Sequence, residues 1–426
     1  MKPASARKFR SLPTPVATQG RPARRRRPLS VSLARFSSSL AMLGALAAGG
    51  GSAKAATFYW DSDSDPYNNV VTGTGLGGSG LWDLTTPLWW NAPGFANQVW
   101  TNNATPDFAV FTGTAGTVTL GAPMSVGQLQ FNTTAYVLGA AANANALTLG
   151  GTGATSTKII LNNVAAATYN GSLLGASGNT ITIDGGVFGG VTAGTLSFAG
   201  TGTGLTGWSG PTVINNGMTI SLSQNSQALS SSTNQITLNN GGLTLTNVAN
   251  TTPTTASITA NNVVPVTATT GLQVGQTLYV AGVASGTITA ISGLNVTVSA
   301  PQTITSGTNV TFSDAAVDRI NNAAPILSNG GTFTVTNTAN TGVNYSETIG
   351  ALTLGAGRLN VVSTNANTTT TELLVIGSLT HAAASTGIVG FSGPSLGTAQ
   401  NQINITAQAT DTGTVNGSTI IGPWAT

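Results

Sequence analysis

The sequence predicts an all-β protein, specifically a right-handed parallel β-helix, a solenoid in which short strands stack coil upon coil. Short runs that alternate apolar and polar residues, many of them β-branched, are typical of half-buried strands. Glycine and asparagine lie between the runs, where they favour turns. Similar runs recur about every 20 to 30 residues, the length of one solenoid unit. No stretch after residue 55 shows the periodicity of an amphipathic helix.

The first 55 residues are predicted to be a signal peptide. A basic stretch, Arg24 to Arg27, precedes the apolar segment LAMLGALAAGG and an A-x-A site at Ala53-Lys54-Ala55. This order of basic, apolar and small residues is typical of secretory signals, and the apolar segment is too short to span a bilayer well. The alternative is an uncleaved anchor or a disordered basic tail.

Charge is unevenly distributed along the chain. Of the 14 basic residues all but three precede Ala56, whereas all 11 acidic residues follow it, so the remainder has a net charge of −8. The overall charge of +3 therefore reflects the leader and gives no support to nucleic-acid binding by the folded part. Cysteine is absent, which excludes disulfides and thiol chemistry. No segment after the leader is predicted to be a membrane-spanning helix.

Residues 56–150 are predicted to form an N-terminal cap and the first coils. Five of the seven tryptophans lie here, and four of them cluster between residues 80 and 100, namely Trp82, Trp89, Trp90 and Trp100. Flat aromatic faces are typical of carbohydrate-binding surfaces, so these residues are possible glycan contacts. The favoured interpretation is a cap, because the first coil of a solenoid exposes unpaired strand edges that need a cover.

Residues 151–262 and 314–426 are predicted to be β-helix repeats. Alternating strands that begin with glycine recur there, at Gly194, Gly217, Gly242, Gly331 and Gly357. A series of separate β-sandwiches is the competing interpretation, but its units would be about 90 to 100 residues long. The last residues are typical of the middle of a protein, so we expect the second set of repeats to be truncated at its C-terminus.

Residues 263–313 interrupt the repeats. They contain four or five closely spaced strands with turns at Thr270-Gly271 and Ser292-Gly293. We expect a small β-module inserted between coils, because an added loop disturbs only the neighbouring units of a solenoid.

Carboxylates occupy every second position at Asp61, Asp63 and Asp65. This spacing makes them weak candidates for calcium ligands, as in D-x-D-x-D loops. Pro66 and Thr72 break the EF-hand pattern, which favours a solvated acidic turn instead.

Candidates for catalysis are few. His381 is the single histidine and is interpreted as a surface or turn residue. Polysaccharide-degrading β-helices use clustered carboxylates, or carboxylates with Arg or Lys. Asp314, Asp318 and Arg319 come closest to such a group, with a local ion pair or turn as the simpler interpretation. Asp184-Gly185-Gly186 is most simply a turn. No catalytic residue is assigned, and no cofactor is expected.

The segment Gly194 to Ser223 resembles the autotransporter-associated β-strand repeat. The matching elements are Gly194-Thr195-Leu196, a loop with Trp208, and then Gly210, Thr212, Ile214, Asn215 and Gly217. The segments Trp82 to Leu138 and Glu347 to Leu354 are similar to other recurring parts of the same exported proteins. The resemblance implies a bacterial surface or secreted passenger, commonly a β-helix with an adhesive or matrix role, and it implies no catalytic residues. Such proteins commonly end in an outer-membrane barrel or a sorting tail. Neither is recognised here, so we expect a fragment that is displayed at the outer membrane if an anchor follows.

The function that the sequence favours is an exported, non-enzymatic surface passenger, either adhesin-like or an extracellular-matrix scaffold. Glycans and cell-surface or matrix polymers are its expected partners, and the expected location is secreted or at the cell surface. The alternative is a polysaccharide-degrading lyase or glycosidase on the same kind of fold. A self-assembling matrix protein is a third hypothesis.

Overall fold

The computed structural model describes residues 55–407, 414–415 and 418–419. The first of these ranges has gaps at 140–144, 152–153, 163, 176–177, 186–192, 199–209, 216, 224–233, 248, 270–271, 273, 314–318, 339–342 and 383. Within the described residues the chain forms strands and no helix, which confirms the predicted all-β class. In this part of the chain there is accordingly no helix with the length and apolar character needed to cross a membrane. Residues 1–54 of the predicted signal peptide, which ends at residue 55, lie outside the described residues.

Most strands of the N-terminal half are short. The predicted cap and first coils contain β1 (Thr57–Trp60), β2 (Gly80–Trp82), β3 (Trp89–Trp90), β4 (Phe108–Phe111), β5 (Thr117–Leu120), β6 (Met124–Val126), β7 (Gln128–Phe131), β8 (Tyr136–Leu138) and β9 (Ala146–Leu149). The next stretch contains β10 (Ser156–Leu161), β11 (Ala166–Tyr169), β12 (Ser172–Gly175), β13 (Thr180–Asp184), β14 (Thr195–Phe198), β15 (Thr212–Asn215), β16 (Thr219–Leu222), β17 (Ile236–Asn239) and β18 (Gly241–Asn247).

The strands that follow include several of seven to ten residues among shorter ones. The region around the predicted insertion contains β19 (Ala249–Pro253), β20 (Ile258–Pro265), β21 (Thr277–Val280), β22 (Val283–Ser292), β23 (Asn295–Ile304) and β24 (Asn309–Ser313). The rest contains β25 (Ile326–Ser328), β26 (Gly331–Asn337), β27 (Tyr345–Leu354), β28 (Arg358–Asn365), β29 (Glu372–His381), β30 (Ile388–Ser392), β31 (Asn401–Ile405), β32 (Thr414–Val415) and β33 (Ser418–Thr419).

Two large sheets organise these strands. The first has the order β3-β1-β4-β7-β10-β13-β15-β17-β25-β27-β29-β31, and the second has the order β2-β5-β8-β11-β14-β16-β18-β26-β28-β30. Every neighbouring pair in both sheets is parallel except β1 with β3. A third, three-stranded parallel sheet has the order β12-β9-β6. From β13 to β18 and from β25 to β31 the chain alternates between the two large sheets. This arrangement is compatible with a β-helix, whose solenoid form and handedness stay predictions.

Apolar ladders lie between the large sheets. In the second sheet the strand pairing aligns the buried side chains of Leu196, Ile220, Leu243, Phe333 and Val361. They belong to one hydrophobic core that also takes in the buried residues of the first sheet. The alternation that predicted the strands is therefore the alternation between this core and the outer face.

The strands β19 to β24 form a separate antiparallel sheet with the order β19-β24-β21-β22-β23-β20, and it has a hydrophobic core of its own. Its first and last strands pair with each other, from Ala249 opposite Ser313 to Pro253 opposite Asn309. Because the two ends meet, β18 still pairs in register with β26, up to Asn247 opposite Asn337. The antiparallel sheet begins at Ala249, upstream of residue 263, where the inserted module is predicted to start. The predicted domain boundaries stay predictions.

Candidate functional site

The clustered tryptophans lie at one end of both large sheets. The edge strand β3 carries Trp89 and Trp90, and β2, which carries Trp82, ends the second sheet. The ring centroids of Trp82 and Trp89 are 4.7 Å apart, as are those of Trp89 and Trp100. Trp60 joins them, with its centroid 5.3 Å from that of Trp89. All five indoles are at most 2% exposed, so they act as a packed apolar end to the sheets.

The indole N–H groups differ in their partners. Trp60 Nε1 donates to Gly78 O at 2.9 Å, and Trp100 Nε1 donates to Ser125 O at 3.1 Å. Trp82, Trp89 and Trp90 have no partner for Nε1 among the described residues, although a buried donor without a partner typically costs about 1–3 kcal/mol. None of the four predicted glycan contacts presents a ring face to solvent. Glycan binding by these rings stays a prediction, and it would require this end of the sheets to open.

The three aspartates predicted as weak calcium ligands differ in their exposure, and the Asp63 N–H donates to Asp61 Oδ1 at 3.3 Å. Asp61 is fully buried, whereas Asp63 and Asp65 are exposed. The Asp65 backbone N–H donates to Asp63 Oδ1 at 2.8 Å, and the Tyr67 N–H donates to Asp65 Oδ1 at 3.0 Å. The first of these bonds is the main cause that lowers the pKa of Asp63. These are the local side-chain to backbone bonds of turns. Calcium binding by the three together stays a prediction.

The candidate catalytic residues are not brought into one cleft by the described part of the chain. Asp314 and Asp318 lie outside the described residues. Arg319 is fully buried, and its guanidinium carbon lies 4.8 Å from the ring centroid of Tyr345. His381 Nε2 lies 3.0 Å from both Gly387 O and Ser385 Oγ.

Ser385 does not form an activated pair with the histidine, because its Oγ donates to Leu354 O at 2.9 Å. A serine hydroxyl has one hydrogen to donate, so it is already engaged. The predicted turn residue Asp184 faces Lys158 across neighbouring strands, with a 3.5 Å distance between the two charged groups.

Two buried acids were not identified from the sequence. Glu347 and Glu372 lie on neighbouring strands and are fully buried. For Glu347 the sequence does indicate burial, because this residue is two positions from Ile349 and so lies on the inward face of an alternating strand. Burial is the main cause that raises the pKa of each acid to about 7. Without access to solvent neither acid is placed to meet a polymeric substrate.

The two acids have different surroundings. Glu347 accepts from three donors, the backbone N–H groups of Arg319 and Ile320 at 2.9 Å and the Tyr345 hydroxyl at 2.8 Å. Glu372 Oε2 accepts from the Asn337 N–H at 2.7 Å, and its Oε1 accepts from Ser363 Oγ at 2.6 Å. Ser363 Oγ also lies 2.5 Å from Asn401 Oδ1, so the single hydrogen of Ser363 has two possible acceptors.

The outer face of the second sheet has no charge along much of its length. Strand pairing aligns half-buried hydroxyl side chains into a row that we call the hydroxyl ladder, consisting of Thr168, Ser197, Ser221, Thr244 and Thr334. From residue 185 to residue 313 the sequence contains no Asp, Glu, Lys, Arg or His. Hydroxyl groups both donate and accept hydrogen bonds, so this surface is suited to neutral polar partners.

A comparison with curated proteins finds one match that bears on function. The chain is 38% identical over 194 residues to an adhesin, the BmaC autotransporter of Brucella suis biovar 1 (strain 1330). The match covers 45% of this chain and spans about 5% of the length of the relative. It confirms the predicted resemblance to autotransporter passengers. No protein-family model matches the chain, and no solved structure matches it.

Proposed function

We propose that this chain is part of an exported, non-enzymatic surface passenger that acts as an adhesin or an adhesive scaffold. The observation that carries the proposal is its similarity to the Brucella adhesin autotransporter over 194 residues. Export through the N-terminal leader and display at the cell surface belong to the same proposal, because an autotransporter passenger acts outside the cell.

The strand order supports the mechanical part of this role. We infer that the alternation of the chain between two parallel sheets continues as a right-handed β-helix, with each coil about 4.7–4.9 Å from the last. Ladders such as Leu243, Phe333 and Val361 would stabilise the stack by apolar burial. A stiff stack of this kind would hold its outer faces in fixed positions.

We assign the adhesive contact to the hydroxyl ladder and the neutral face around it. Glycans present many hydroxyl groups, which pair with threonine and serine side chains through weak hydrogen bonds. The absence of charged residues from 185 to 313 in the sequence removes the cost of burying a charge against a neutral polymer. The non-enzymatic assignment is supported by the burial of Glu347 and Glu372, which keeps both from a polymeric substrate.

Binding of the purified, labelled chain to immobilised glycans and extracellular-matrix polymers tests the proposal. We expect saturable binding that falls when Ser221→Lys and Thr244→Lys add two charges to the ladder. Thr259→Lys is the matched control, because Thr259 is an exposed strand residue of the antiparallel sheet and its substitution should leave binding unchanged.

Two results would contradict the proposal. The first is an absence of saturable binding to any of the polymers. The second is the release of reducing ends when the chain is incubated with pectin, alginate or similar polymers, since this would indicate the polysaccharide-degrading alternative.

A further inference from the structure

A polar cleft lies between the loops that follow two neighbouring strands of the second sheet. The first loop follows β28, and the second joins β30, which pairs with β28, to β31. The cleft has a volume of about 190 Å³, below the roughly 300–1,000 Å³ of pockets for drug-sized ligands. Every described residue that lines it carries an amide or a hydroxyl group, as do Asn365, Thr368, Ser395, Gln400 and Asn401. The cleft is therefore suited to one small polar ligand.

The amides of two asparagines in the cleft are held in place by backbone carbonyls. Asn365 Nδ2 donates to Thr370 O at 2.7 Å and to Gln400 O at 2.8 Å, so it connects the two loops. Asn401 is fully buried, and its Nδ2 donates to two carbonyls of other residues, both at 2.8 Å. Because these side chains are already ordered, a ligand that contacts them does not have to order them first.

The second loop contains a strained backbone conformation. Ser395 has a φ of 55°, in the left-handed region that residues other than glycine rarely adopt. Its carbonyl accepts from Thr398 Oγ1 at 2.7 Å, and the Gly397 N–H donates to Asn401 O at 2.9 Å. Strained residues cluster at ligand sites, where the surrounding contacts hold them in place. These contacts fix the loop in one shape around the cleft.

Two side chains of the cleft are available to bind a ligand. Thr368 and Gln400 are exposed, and neither side chain has a hydrogen-bond partner within the described part of the chain. The hydroxyl of Thr368 can donate and accept, and the amide of Gln400 presents donors and an acceptor side by side. Each loop contributes one of these residues, so a ligand between the loops can contact both.

The chemistry of the lining favours a neutral ligand that is rich in hydroxyl groups. No charged side chain lines the cleft among the described residues, so a charged ligand would be buried there without a counter-charge, which is costly. A sugar ring carries neighbouring hydroxyls that each donate and accept, a pattern that amide and hydroxyl side chains complement. The described lining contains no aromatic ring, so affinity for a sugar would depend on hydrogen bonds.

We propose that the cleft between Asn365 and Asn401 binds one neutral sugar residue of a glycan. The inference rests on the proposed adhesive function and adds to it a site, separate from the hydroxyl ladder, that recognises a single sugar. Each hydrogen bond formed in water contributes little net free energy, so we expect half-saturation at about 10⁻³ M. Many copies of the chain on one surface would raise the effective affinity through multivalency.

Saturation-transfer NMR of the full chain with the methyl glycosides of glucose, galactose, mannose and N-acetylglucosamine tests the proposal. We expect saturable binding of at least one glycoside. Thr368→Val/Gln400→Leu keeps the approximate shape of both side chains and removes their hydrogen-bonding groups, so the affinity should fall on the order of tenfold. Thr259→Val/Gln98→Leu is the matched control, because both residues are exposed and lie outside the cleft; its affinity should be unchanged.

Gln400→Ala alone keeps the test decisive if the double variant fails to fold, because it shortens a single exposed side chain. The proposal is overturned if none of the glycosides binds, or if the cleft variants bind as tightly as the wild type. Failure of the proposed function gives a different result: immobilised polymers then show no saturable binding, whereas a glycoside still binds and depends on Thr368 and Gln400. Saturable polymer binding without glycoside binding would overturn this inference alone.

Discussion

Replacing Glu372 with glutamine should stabilise the protein at neutral pH. Ser363 Oγ lies 2.6 Å from Glu372 Oε1 and 2.5 Å from Asn401 Oδ1. The orientation of the Asn401 amide follows from its Nδ2, which donates to Ser363 O and Pro394 O, both at 2.8 Å. Asn401 Oδ1 is therefore an acceptor. Ser363 has one hydrogen to donate, and two acceptors compete for it, Glu372 Oε1 and Asn401 Oδ1. A neutral side chain at position 372 that donates to Ser363 Oγ would leave this hydrogen to Asn401.

The magnitude follows from the pKa of this acid. Burial raises the pKa of Glu372 from 4.5 to about 7, and each unit corresponds to about 1.4 kcal/mol. Below pH 4.5 Glu372 is protonated in both states and its full contribution to stability is present. As the pH rises toward 7 the unfolded chain ionises first, so the free energy of unfolding falls by up to about 3 kcal/mol.

Glutamine reproduces the protonated acid at every pH. Its amide N–H can donate to Ser363 Oγ, and its oxygen can accept from the Asn337 N–H. We therefore expect Glu372→Gln to be more stable than the wild type at pH 7 by up to about 3 kcal/mol and equal to it near pH 4. The assay is denaturant unfolding followed by tryptophan fluorescence between these pH values.

Glu347→Gln is the matched control, because burial raises the pKa of Glu347 to about 7 as well. Its carboxylate has three hydrogen-bond partners, the N–H groups of Arg319 and Ile320 and the Tyr345 hydroxyl, and all three donate to it. A glutamine amide would direct N–H hydrogens against them, so this variant should lose about 1–3 kcal/mol. Loss of stability in Glu372→Gln at pH 7, or an unchanged pH dependence, would refute the reasoning.

Three further predictions concern the core, the Trp-rich end and the antiparallel sheet. Phe333→Ala should lose about 3–5 kcal/mol of unfolding free energy, whereas Val274→Ala at a half-exposed position should lose little; equal losses would contradict the ladder packing. Trp89→Ala should lower the unfolding temperature and leave glycan binding unchanged, because the ring is buried; the opposite pattern would restore the glycan-contact interpretation. Replacing residues 249–313 with a short turn should preserve cooperative unfolding measured by circular dichroism, because the ends of this segment are paired. A chain without a cooperative transition would show that the large sheets depend on it.

The strands were predictable from local pattern. In β16, for example, Ile220 and Leu222 are buried while Thr219 and Ser221 are half-exposed, as their alternation predicts. The pairing of strands with one another was harder to predict from the sequence. Asn247 lies opposite Asn337 across 90 residues, and no local signal shows that the intervening segment returns to its starting point.

The site residues were harder to predict than the fold. Asp61 was identified from its spacing to Asp63 and Asp65, but its contacts are amides that approach from two separate loops. Glu372 lies at the first position of its strand, where alternation is weakest as a guide to the buried face. Such contacts depend on how separate loops and strands pack in three dimensions. The spacing of residue types along the sequence does not predict this packing.

The pairing of β18 with β26 is the most direct test of the stacked-strand arrangement. The chain has no cysteine, so two introduced cysteines can react only with each other within one molecule. Thr244 lies opposite Thr334, which in turn lies opposite Val362. Neighbouring strands are about 4.7–4.9 Å apart, within the reach of a disulfide. We predict that Thr244→Cys/Thr334→Cys forms an intramolecular disulfide under mild oxidation, whereas Thr244→Cys/Val362→Cys, two strands apart, does not. Failure of the first pair to cross-link in the folded protein, or equal cross-linking of both pairs, would contradict the stacked arrangement.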